Sequence, residues 1–271
     1  MICSLLKKAN RVRRAVQTAL RGDTAPHWRP RLVLDSTIAV GVPGDVRAGY
    51  PVDLDKEAIS RRYILESVPA RFPGSKLRFL DVGGRDGELT YLLGGVGPLE
   101  GNPQFRDINK RKFEALYDYF CVDLIPAGPN VLHGDMCDPA FLETYRDFVS
   151  SFDVIYSNNV FEHLARPWVA AEILLALLKP GGICITVVPF AQRYHESPGD
   201  YFRYTHMGIP KLYEAAGPVR VLEAGYDIRA RRYDWQGTGV ANDLVPVDRY
   251  GAWRETWFSV SVLEKLPGGG N

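Results

Sequence analysis

The central part of the chain alternates short apolar runs with segments in which apolar residues recur every three or four positions. Five such runs occur in order, at residues 77–82, 117–123, 130–136, 152–157 and 183–188. Strands of a parallel sheet covered on both faces are apolar along their whole length, and amphipathic helices have the longer period. The alternation therefore predicts an α/β protein with a mostly parallel, doubly wound sheet.

Helical segments are predicted between these runs, and glycine or proline residues mark most of their boundaries. They lie at residues 56–67, 88–93, 139–149, 167–178 and 210–216. The segments at 88–93, 139–149 and 167–178 each connect two strands of the parallel series, whereas 56–67 precedes the first strand and 210–216 follows the fifth.

The predicted domain organisation is an N-terminal extension over residues 1–60 and one domain over residues 61–266. Within the domain, residues 94–112 look like an insert, and residues 189–208 and 227–254 like elaborations on the ligand side. The extension begins with a basic amphipathic helix. Its apolar face lacks tryptophan and phenylalanine anchors. Packing on its own domain or on a second copy of the chain, as a homo-oligomer, is therefore favoured over a membrane surface or an acidic partner.

Composition narrows the class of partner and the compartment. With 271 residues and a net charge of +1, the chain has no global positive field, which disfavours nucleic acid as a partner. Its four cysteines are scattered without a Cys-x-x-Cys pair, which fits a reducing compartment and predicts a cytoplasmic protein. No apolar run approaches the roughly 20 residues of a membrane span.

A glycine-rich turn follows the first apolar run. Gly83, Gly84 and Gly87 let the backbone turn sharply and approach a ligand closely. The helix that follows would direct its free N–H groups at that ligand. The stretch predicts a nucleotide-type pocket at the carboxyl end of the first strand, with a tight ligand-free turn as the alternative. It does not match the dinucleotide pattern Gly-x-Gly-x-x-Gly, which disfavours an NAD(P)-binding oxidoreductase.

The turn and three later segments resemble class I S-adenosylmethionine-dependent methyltransferases. Asp81, Gly83 and Gly87 resemble the first motif of that family, with Arg85 where its middle glycine is expected. Residues 134–136 resemble the third motif, and the segments FDVIYSNNVFEHL and LLKPGGICITVVP resemble the fourth and fifth.

This resemblance extends over about residues 77–217 and implies a fold, a cofactor and an activity. The fold would be a Rossmann-like seven-stranded sheet, mostly parallel with an antiparallel C-terminal strand, plus an N-terminal helical extension. Residues 219–224 and 256–264 would be its last antiparallel pair. The activity would be methyl transfer from S-adenosylmethionine, with S-adenosylhomocysteine as the product.

The resemblance also implies which residues hold the cofactor. Asp123 would bind the two ribose hydroxyls, since a carboxylate accepts two hydrogen bonds at once. Asp135 would meet the adenine amino group, and Met136 would pack on the ring. The full predicted set is Asp81, Gly83, Gly84, Gly87, Asp123, Leu124, Asp135, Met136 and Asn158. Two alternatives stay open. Either residues 94–112 are an inserted loop or Asp123 is not the ribose acid, and helix capping is an equal alternative for Asp135.

Two histidines and a glutamate are the candidate catalytic residues. Ligands of an open α/β sheet bind beyond the carboxyl ends of its strands, where Glu162, His163 and His195 are expected to converge. A hydroxyl acceptor is a poor nucleophile until its proton leaves, and histidine suits that task near neutral pH. His163 and His195 are therefore the candidate bases, and Glu162 would orient one of them or balance its charge. The alternatives are a hydrogen-bonded residue at a helix start for His163 and an exposed loop residue for His195.

A divalent metal is the second interpretation of these three residues. Some methyltransferases of the resembled class, including those that act on the 3′ ends of small RNAs, carry a metal-binding Glu/His cluster at these places. Here Asn159 stands where their first glutamate is expected. Two histidines and one carboxylate suffice for a metal. The missing acid nevertheless favours a metal-free site for a small molecule over a metal-assisted enzyme acting on a nucleic acid or another hydroxyl end.

The candidate acceptor site is the segment RYHESPGDYFRYT, residues 193–205, which resembles a segment of bacterial methyltransferases in polysaccharide and natural-product pathways. Tyr201 and Arg203 are the candidate substrate contacts. The acceptor would be a hydroxyl-rich small molecule, such as a sugar or a glycosylated natural product, methylated on oxygen. An internal ion pair between Asp200 and Arg203 is the alternative. A non-catalytic binding protein of the same fold remains a rival, supported by Arg85 in the glycine turn.

Overall fold

The computed structural model of the protein describes residues 54–85, 87–93, 97–99, 105–192, 194–195, 199–227 and 257–268. The predicted basic helix near the N-terminus lies outside the described residues, as do nearly all of residues 227–254 and part of residues 94–112. The predicted domain limits stay a prediction.

Seven strands alternate with helices in the described part of the chain. The strands are β1 (Leu77–Val82), β2 (Tyr117–Asp123), β3 (Val131–His133), β4 (Phe152–Asn158), β5 (Leu178–Ala191), β6 (Val219–Asp227) and β7 (Trp257–Lys265). The α-helices are α1 (Lys56–Arg62), α2 (Val68–Arg71), α3 (Thr90–Leu93), α4 (Arg106–Leu116), α5 (Phe141–Thr144), α6 (Pro167–Leu177) and α7 (Gly208–Ala216). A π-helical turn covers Tyr63–Ser67, and 3-10 turns cover Arg146–Phe148 and Phe161–His163.

The strands form one sheet in the order β3–β2–β1–β4–β5–β7–β6. β1 runs parallel to β2 and β4, β2 to β3, and β4 to β5. β7 runs antiparallel to both of its neighbours, β5 and β6. The predicted fold class is therefore confirmed, including the helical segment before β1. The strand order reverses between β1 and β4, which is where open α/β sheets bind ligands.

Side chains of the central strands alternate between two apolar clusters, one for each face of the sheet. Leu80 and Val82 belong to the cluster that includes Leu174 of α6. Phe79 belongs to the other cluster, where its ring meets Phe113 of α4 at a centroid distance of 5.1 Å. Burial on both faces explains why these strands are continuous apolar runs in the sequence.

Two boundaries differ from the predictions for local reasons. β3 ends before Asp135 because the Asp135 carboxylate accepts a hydrogen bond from the Cys137 N–H at 2.7 Å and closes a turn. The helix predicted over residues 139–149 is divided because Tyr145 leaves the helical conformation, with φ −112° and ψ 36°. Among the described helices, none has the length and apolar character that crossing a membrane requires.

Candidate active site

Three acids predicted for the cofactor follow three neighbouring strands. Asp81 lies in β1 opposite Cys121 of β2, Asp123 ends β2, and Asp135 follows β3. The N–H of Gly134 donates to the Asp123 carbonyl at 3.0 Å, which joins the ends of β2 and β3. Because these strands are parallel, their carboxyl ends share one edge of the sheet.

The glycine turn adopts a conformation that depends on its glycines. Gly83 has φ +80°, and its N–H donates to the Val122 carbonyl at 2.8 Å. At Gly84, an added Cβ would lie only 2.4 Å from Cys121 Cβ, so a side chain there would collide with β2. Both positions therefore need glycine, one for its backbone angle and the other for space.

Arg85 keeps the turn in the left-handed conformation although it replaces a glycine of the family pattern. Its φ is 57°, and its N–H donates to Asp123 Oδ2 at 2.9 Å. Gly87 follows with φ +77°, and its carbonyl accepts from Asn130 Nδ2 at 2.6 Å. The hydrogen bond to Asp123 ties the turn to the end of β2, across the long stretch of sequence that separates them.

Asp123 accepts backbone hydrogen bonds at both carboxylate oxygens. Besides the bond from Arg85, its Oδ1 accepts from the Ile125 N–H at 3.0 Å. Leu124 and Ile125 are 55% and 50% exposed, although both are large and apolar. A fixed carboxylate beside two exposed apolar side chains is suited to a ligand with a polar rim and a flat apolar face.

Asp81 is a buried carboxyl with one hydroxyl partner. The Tyr119 hydroxyl donates to its Oδ2 at 2.9 Å. Burial raises the pKa of Asp81 to about 7, the Tyr119 hydrogen bond lowers this pKa, and the Asp123 charge raises it. On the neighbouring strand β4, Ser157 pairs with Val82 of β1. The next residue, Asn158, has a buried Oδ1 without a hydrogen-bond partner among the described residues.

Two acids, Asp135 and Asp138, follow β3, and helix capping was the open alternative for Asp135. Asp138 Oδ1 accepts from the Ala140 N–H at 3.0 Å, immediately before α5. Asp135 is exposed, and its carboxylate accepts a hydrogen bond from the Cys137 N–H within the same turn. Met136 beside it is buried. Asp138 therefore closes the turn before α5, whose N-cap residue Ala140 has no side-chain capping bond, and a cofactor role for Asp135 stays a prediction.

Glu162, His163 and His195 come together beyond β4 and β5. Glu162 is fully buried, and neither carboxylate oxygen has a hydrogen-bond partner among the described residues. Its Oε1 lies 3.7 Å from His163 Nε2 and 3.9 Å from His195 Nε2. The two imidazole rings are nearly perpendicular, with centroids 4.9 Å apart. Burial raises the pKa of Glu162 to about 8, a shift that its own backbone N–H and Arg203 oppose and Asp200 reinforces.

The other ring nitrogen of each imidazole lies near an oxygen atom. His163 Nδ1 lies 2.5 Å from the Gly199 carbonyl, and His195 Nδ1 lies 3.5 Å from Asp200 Oδ2. The backbone N–H of His195 also donates to Asp200 Oδ2, at 2.8 Å. The two Nε2 atoms lie 3.7 and 3.9 Å from Glu162 Oε1, whereas the sequence predicted such a role of Glu162 for only one histidine.

Arg203 stabilises the position of Asp200 beside the two imidazoles. It forms a two-pronged ion pair with Asp200, and its Nε donates to the Gln192 carbonyl at 3.1 Å. The Arg203 hydrogen bonds lower the pKa of Asp200 to about 2. The internal ion pair considered from the sequence is therefore present, whereas Tyr201 is 57% exposed. Contacts of Tyr201 and Arg203 with a substrate stay a prediction.

Two residues of the site were missed in the sequence. Tyr119 reaches Asp81 only because the registry of β1 and β2 brings them together. Val160 packs against the glycine turn, where a Cβ on Gly83 would lie 2.7 Å from its Cγ2. No pattern of neighbouring residues in the sequence predicts either contact.

Comparison with known proteins gives a family and a general likeness of fold. The family model described as a methyltransferase domain matches residues 57–229. No curated protein is similar enough in sequence to be counted as a relative.

Among solved structures, three similar ones are methyltransferases. The 1,6-didemethyltoxoflavin-N1-methyltransferase of Burkholderia thailandensis, with bound S-adenosylhomocysteine, has 13% identity and a TM-score of 0.43, covering 78% of this chain and 80% of that chain. An S-adenosylmethionine-dependent methyltransferase from Mesorhizobium loti has 14% identity and a TM-score of 0.43, covering 78% and 98%. An arsenic(III) S-adenosylmethionine methyltransferase from Chlamydomonas reinhardtii has 16% identity and a TM-score of 0.41, covering 80% and 75%.

Proposed function

We propose that this chain, which belongs to the methyltransferase domain family, transfers a methyl group from S-adenosylmethionine to an oxygen atom of a hydroxyl-rich small molecule. S-adenosylmethionine is the cofactor, and S-adenosylhomocysteine is the product. The observation that supports the proposal most strongly is that the candidate site residues share one edge of the sheet. The glycine turn, the acids of β1 and β2, and the Glu162–His163–His195 cluster all follow carboxyl ends of neighbouring strands.

The residues at this edge fit the cofactor. Asn158 Oδ1 is buried without a partner in the described part of the chain, and Asp81 Oδ2 accepts a hydrogen bond from the Tyr119 hydroxyl. Such acceptors suit the ammonium group of the methionine part. Asp123, fixed by two backbone N–H groups, would hold the ribose hydroxyls. The exposed side chain of Leu124 would cover the adenine ring.

The bound cofactor supplies a methyl group on a positively charged sulfur, which an acceptor oxygen displaces in line. As the O–CH₃ bond forms, the C–S bond breaks, its electron pair stays on sulfur, and the acceptor O–H gives up its proton. The chain has to orient the acceptor and help that proton to leave. His163 and His195 are the described groups whose chemistry suits this task.

The acceptor class follows from the surroundings of these histidines. The 57% exposed ring of Tyr201 lies directly after Asp200, which holds His195. An exposed aromatic ring beside polar groups suits stacking on a sugar ring and hydrogen bonding to its hydroxyls. A sugar or glycosylated metabolite of a biosynthetic pathway is therefore the proposed acceptor.

The test is methyl transfer to a panel of free sugars and glycosides, followed by mass spectrometry of S-adenosylhomocysteine and of the product. We expect turnover with at least one hydroxyl acceptor. His163→Gln and His195→Gln should lower turnover by about 10²–10⁴-fold with unchanged S-adenosylhomocysteine affinity. Full turnover in both variants would remove the histidine assignment. Failure to bind S-adenosylmethionine or its product would favour a non-catalytic protein, and binding of NAD(P) an oxidoreductase.

Two sequence predictions remain proposals beside this function. The first is a homo-oligomer formed through the basic N-terminal helix, which size-exclusion chromatography of the full chain tests. The second is a cytoplasmic location, which the three free buried cysteines Cys121, Cys137 and Cys184 support.

A further inference from the structure

Three lone-pair donors converge on one point beyond β4. Glu162 Oε1 lies 3.7 Å from His163 Nε2 and 3.9 Å from His195 Nε2. Hydrogen bonds between such atoms span about 2.7–3.2 Å, so neither contact is one. A shared proton therefore does not explain the arrangement.

The distances are close to those between ligands of one metal ion. Nitrogen and oxygen ligands lie about 2.0–2.2 Å from a tetrahedral zinc, which places neighbouring ligand atoms about 3.3–3.5 Å apart. The observed separations of 3.7 and 3.9 Å exceed this by only a few tenths of an ångström. A small rotation of either side chain closes that difference.

The surroundings of the cluster are those of a metal site. Metal-bound histidines usually donate their second ring N–H to a carbonyl or carboxylate. His163 Nδ1 faces the Gly199 carbonyl, and His195 Nδ1 faces the Asp200 carboxylate. The Gly199 carbonyl therefore orients the His163 ring, and the Asp200 carboxylate lies beside the His195 ring at an ion-pair distance of 3.5 Å from Nδ1.

The burial of Glu162 requires compensation. Its carboxylate is fully buried, and neither oxygen has a hydrogen-bond partner in the described residues. A buried carboxylate without a partner is costly, and a bound cation removes that cost. The side chain of His195 is 34% exposed, which gives an ion a route in.

We propose that Glu162, His163 and His195 bind one divalent transition-metal ion. Two imidazole nitrogens and one carboxylate oxygen suit zinc, manganese, iron or cobalt, whereas magnesium and calcium prefer oxygen ligands throughout. This differs from the metal-free site that the sequence favours. A glutamate at the place of Asn159, where the first acid is expected, is not needed for a three-ligand site.

Three protein ligands leave a position open for an acceptor oxygen. This role of the ion rests on the proposed function. The imidazoles would then act as ligands and not as free bases. A dication beside an acceptor hydroxyl lowers the pKa of that hydroxyl, and its proton leaves to water.

The test is a titration of chelator-treated protein with Co²⁺, followed by visible absorption and calorimetry. We expect one ion per chain. Glu162→Gln, which keeps the shape of the buried side chain without its charge, and His163→Gln should weaken binding by more than about 100-fold, beyond what loss of a supporting group costs. His206→Gln is the matched control, because His206 packs its ring on Tyr226 and is not part of the cluster.

Circular dichroism of each variant separates loss of the site from loss of the fold. No Co²⁺ binding by the parent chain, or equal binding by the parent and folded Glu162→Gln, would overturn the proposal. S-adenosylhomocysteine is titrated into the same samples. Its binding without cobalt binding refutes the metal site alone, and cobalt binding without it refutes the proposed function alone.

Discussion

The two halves of the binding edge are built from different parts of the chain. We call the ends of β1 to β3, with Asp81, residues 83–87 and Asp123, the glycine side. The loops after β4 and β5, with Glu162, His163 and His195, are the imidazole side. On the glycine side, backbone N–H groups of Arg85 and Ile125 occupy both oxygens of Asp123. On the imidazole side, both oxygens of Glu162 have no hydrogen-bond partner among the described residues.

This contrast separates two ways of making a site. Backbone groups held by a strand and a tight turn form a surface of fixed shape, which suits a cofactor that binds in one way. On the imidazole side, side-chain lone pairs instead converge beside a buried carboxylate. A cation or a proton must bind there to compensate the buried charge.

The largest effect is expected at Gly84. Gly84→Ala places a Cβ 2.4 Å from Cys121 Cβ, which is part of β2 and has no room to move aside. We expect a loss of about 2–3 kcal/mol in the free energy of unfolding and no detectable S-adenosylhomocysteine binding. Urea denaturation and calorimetry measure both. Gly181→Ala is the control, since its Cβ meets nothing within 4 Å and only its φ of +79° costs stability, by about 1 kcal/mol. Equal effects of the two substitutions would contradict the steric explanation.

The next effect is expected at Asp123. Asp123→Ala removes both the predicted ribose acceptor and the anchor of the Arg85 and Ile125 N–H groups. Hydrogen bonds to a charged group contribute about 1.5–3 kcal/mol each, so S-adenosylhomocysteine affinity should fall by about 10-fold or more. Asp118→Ala, on the same strand with a side chain 58% exposed, is the matched control. Unchanged affinity in Asp123→Ala would show that another acid holds the ribose.

A change confined to the imidazole side is expected from Asp200. Asp200→Asn weakens the ion pair with Arg203 and the hold on His195, so we expect turnover and cobalt affinity to fall by about 10–100-fold. S-adenosylhomocysteine affinity should not change. Glu214→Gln is the control, because Lys211 and Glu214 form an ion pair of the same spacing at the surface. If Asp200→Asn keeps full turnover, Asp200 has no positioning role.

The smallest effect concerns pH on the glycine side. Burial raises the pKa of Asp81 from 3.8 to about 7, so the folded chain holds this proton where the unfolded chain has lost it. Stability therefore falls as pH rises from about 4 to about 7, because the carboxyl ionises there in the unfolded chain and not in the folded one. Above about pH 7 the folded chain ionises Asp81, and that form gains affinity for an ammonium group. Tyr119, Asp123 and Tyr156 are the titratable groups that interact with it.

Calorimetry between about pH 6 and pH 7.5 should accordingly show S-adenosylhomocysteine affinity rising severalfold, below the range where the α-amino group itself titrates. Asp81→Asn should remove the dependence. A rise of the same size in Asp81→Asn would assign it to another group.

The glycine side could be predicted in more detail from the sequence than the imidazole side. Residues 81–87 are contiguous, so their spacing alone indicates the turn and the ends of a strand and a helix. The left-handed conformation of Arg85 could not be predicted, because it depends on a hydrogen bond to Asp123. The Tyr119–Asp81 contact depends on the registry between β1 and β2, which no local pattern sets.

On the imidazole side, the strand-end argument predicted that Glu162, His163 and His195 converge, and the structure brings them together. It could not predict that both Nε2 atoms face the carboxylate. That orientation depends on Gly199 and Asp200, which belong to a distant loop. The sequence favoured a metal-free site because Asn159 stands where a glutamate is expected. The sequence alone does not show that Glu162 is buried.

The most direct test of this division is a crossed titration. S-adenosylhomocysteine is titrated into Glu162→Gln, and Co²⁺ into Asp123→Ala, each against the parent chain. We predict that each variant keeps the affinity for the ligand of the other side within about twofold, as independent sites do. Loss of both ligands in either variant would contradict two separately built halves of one site.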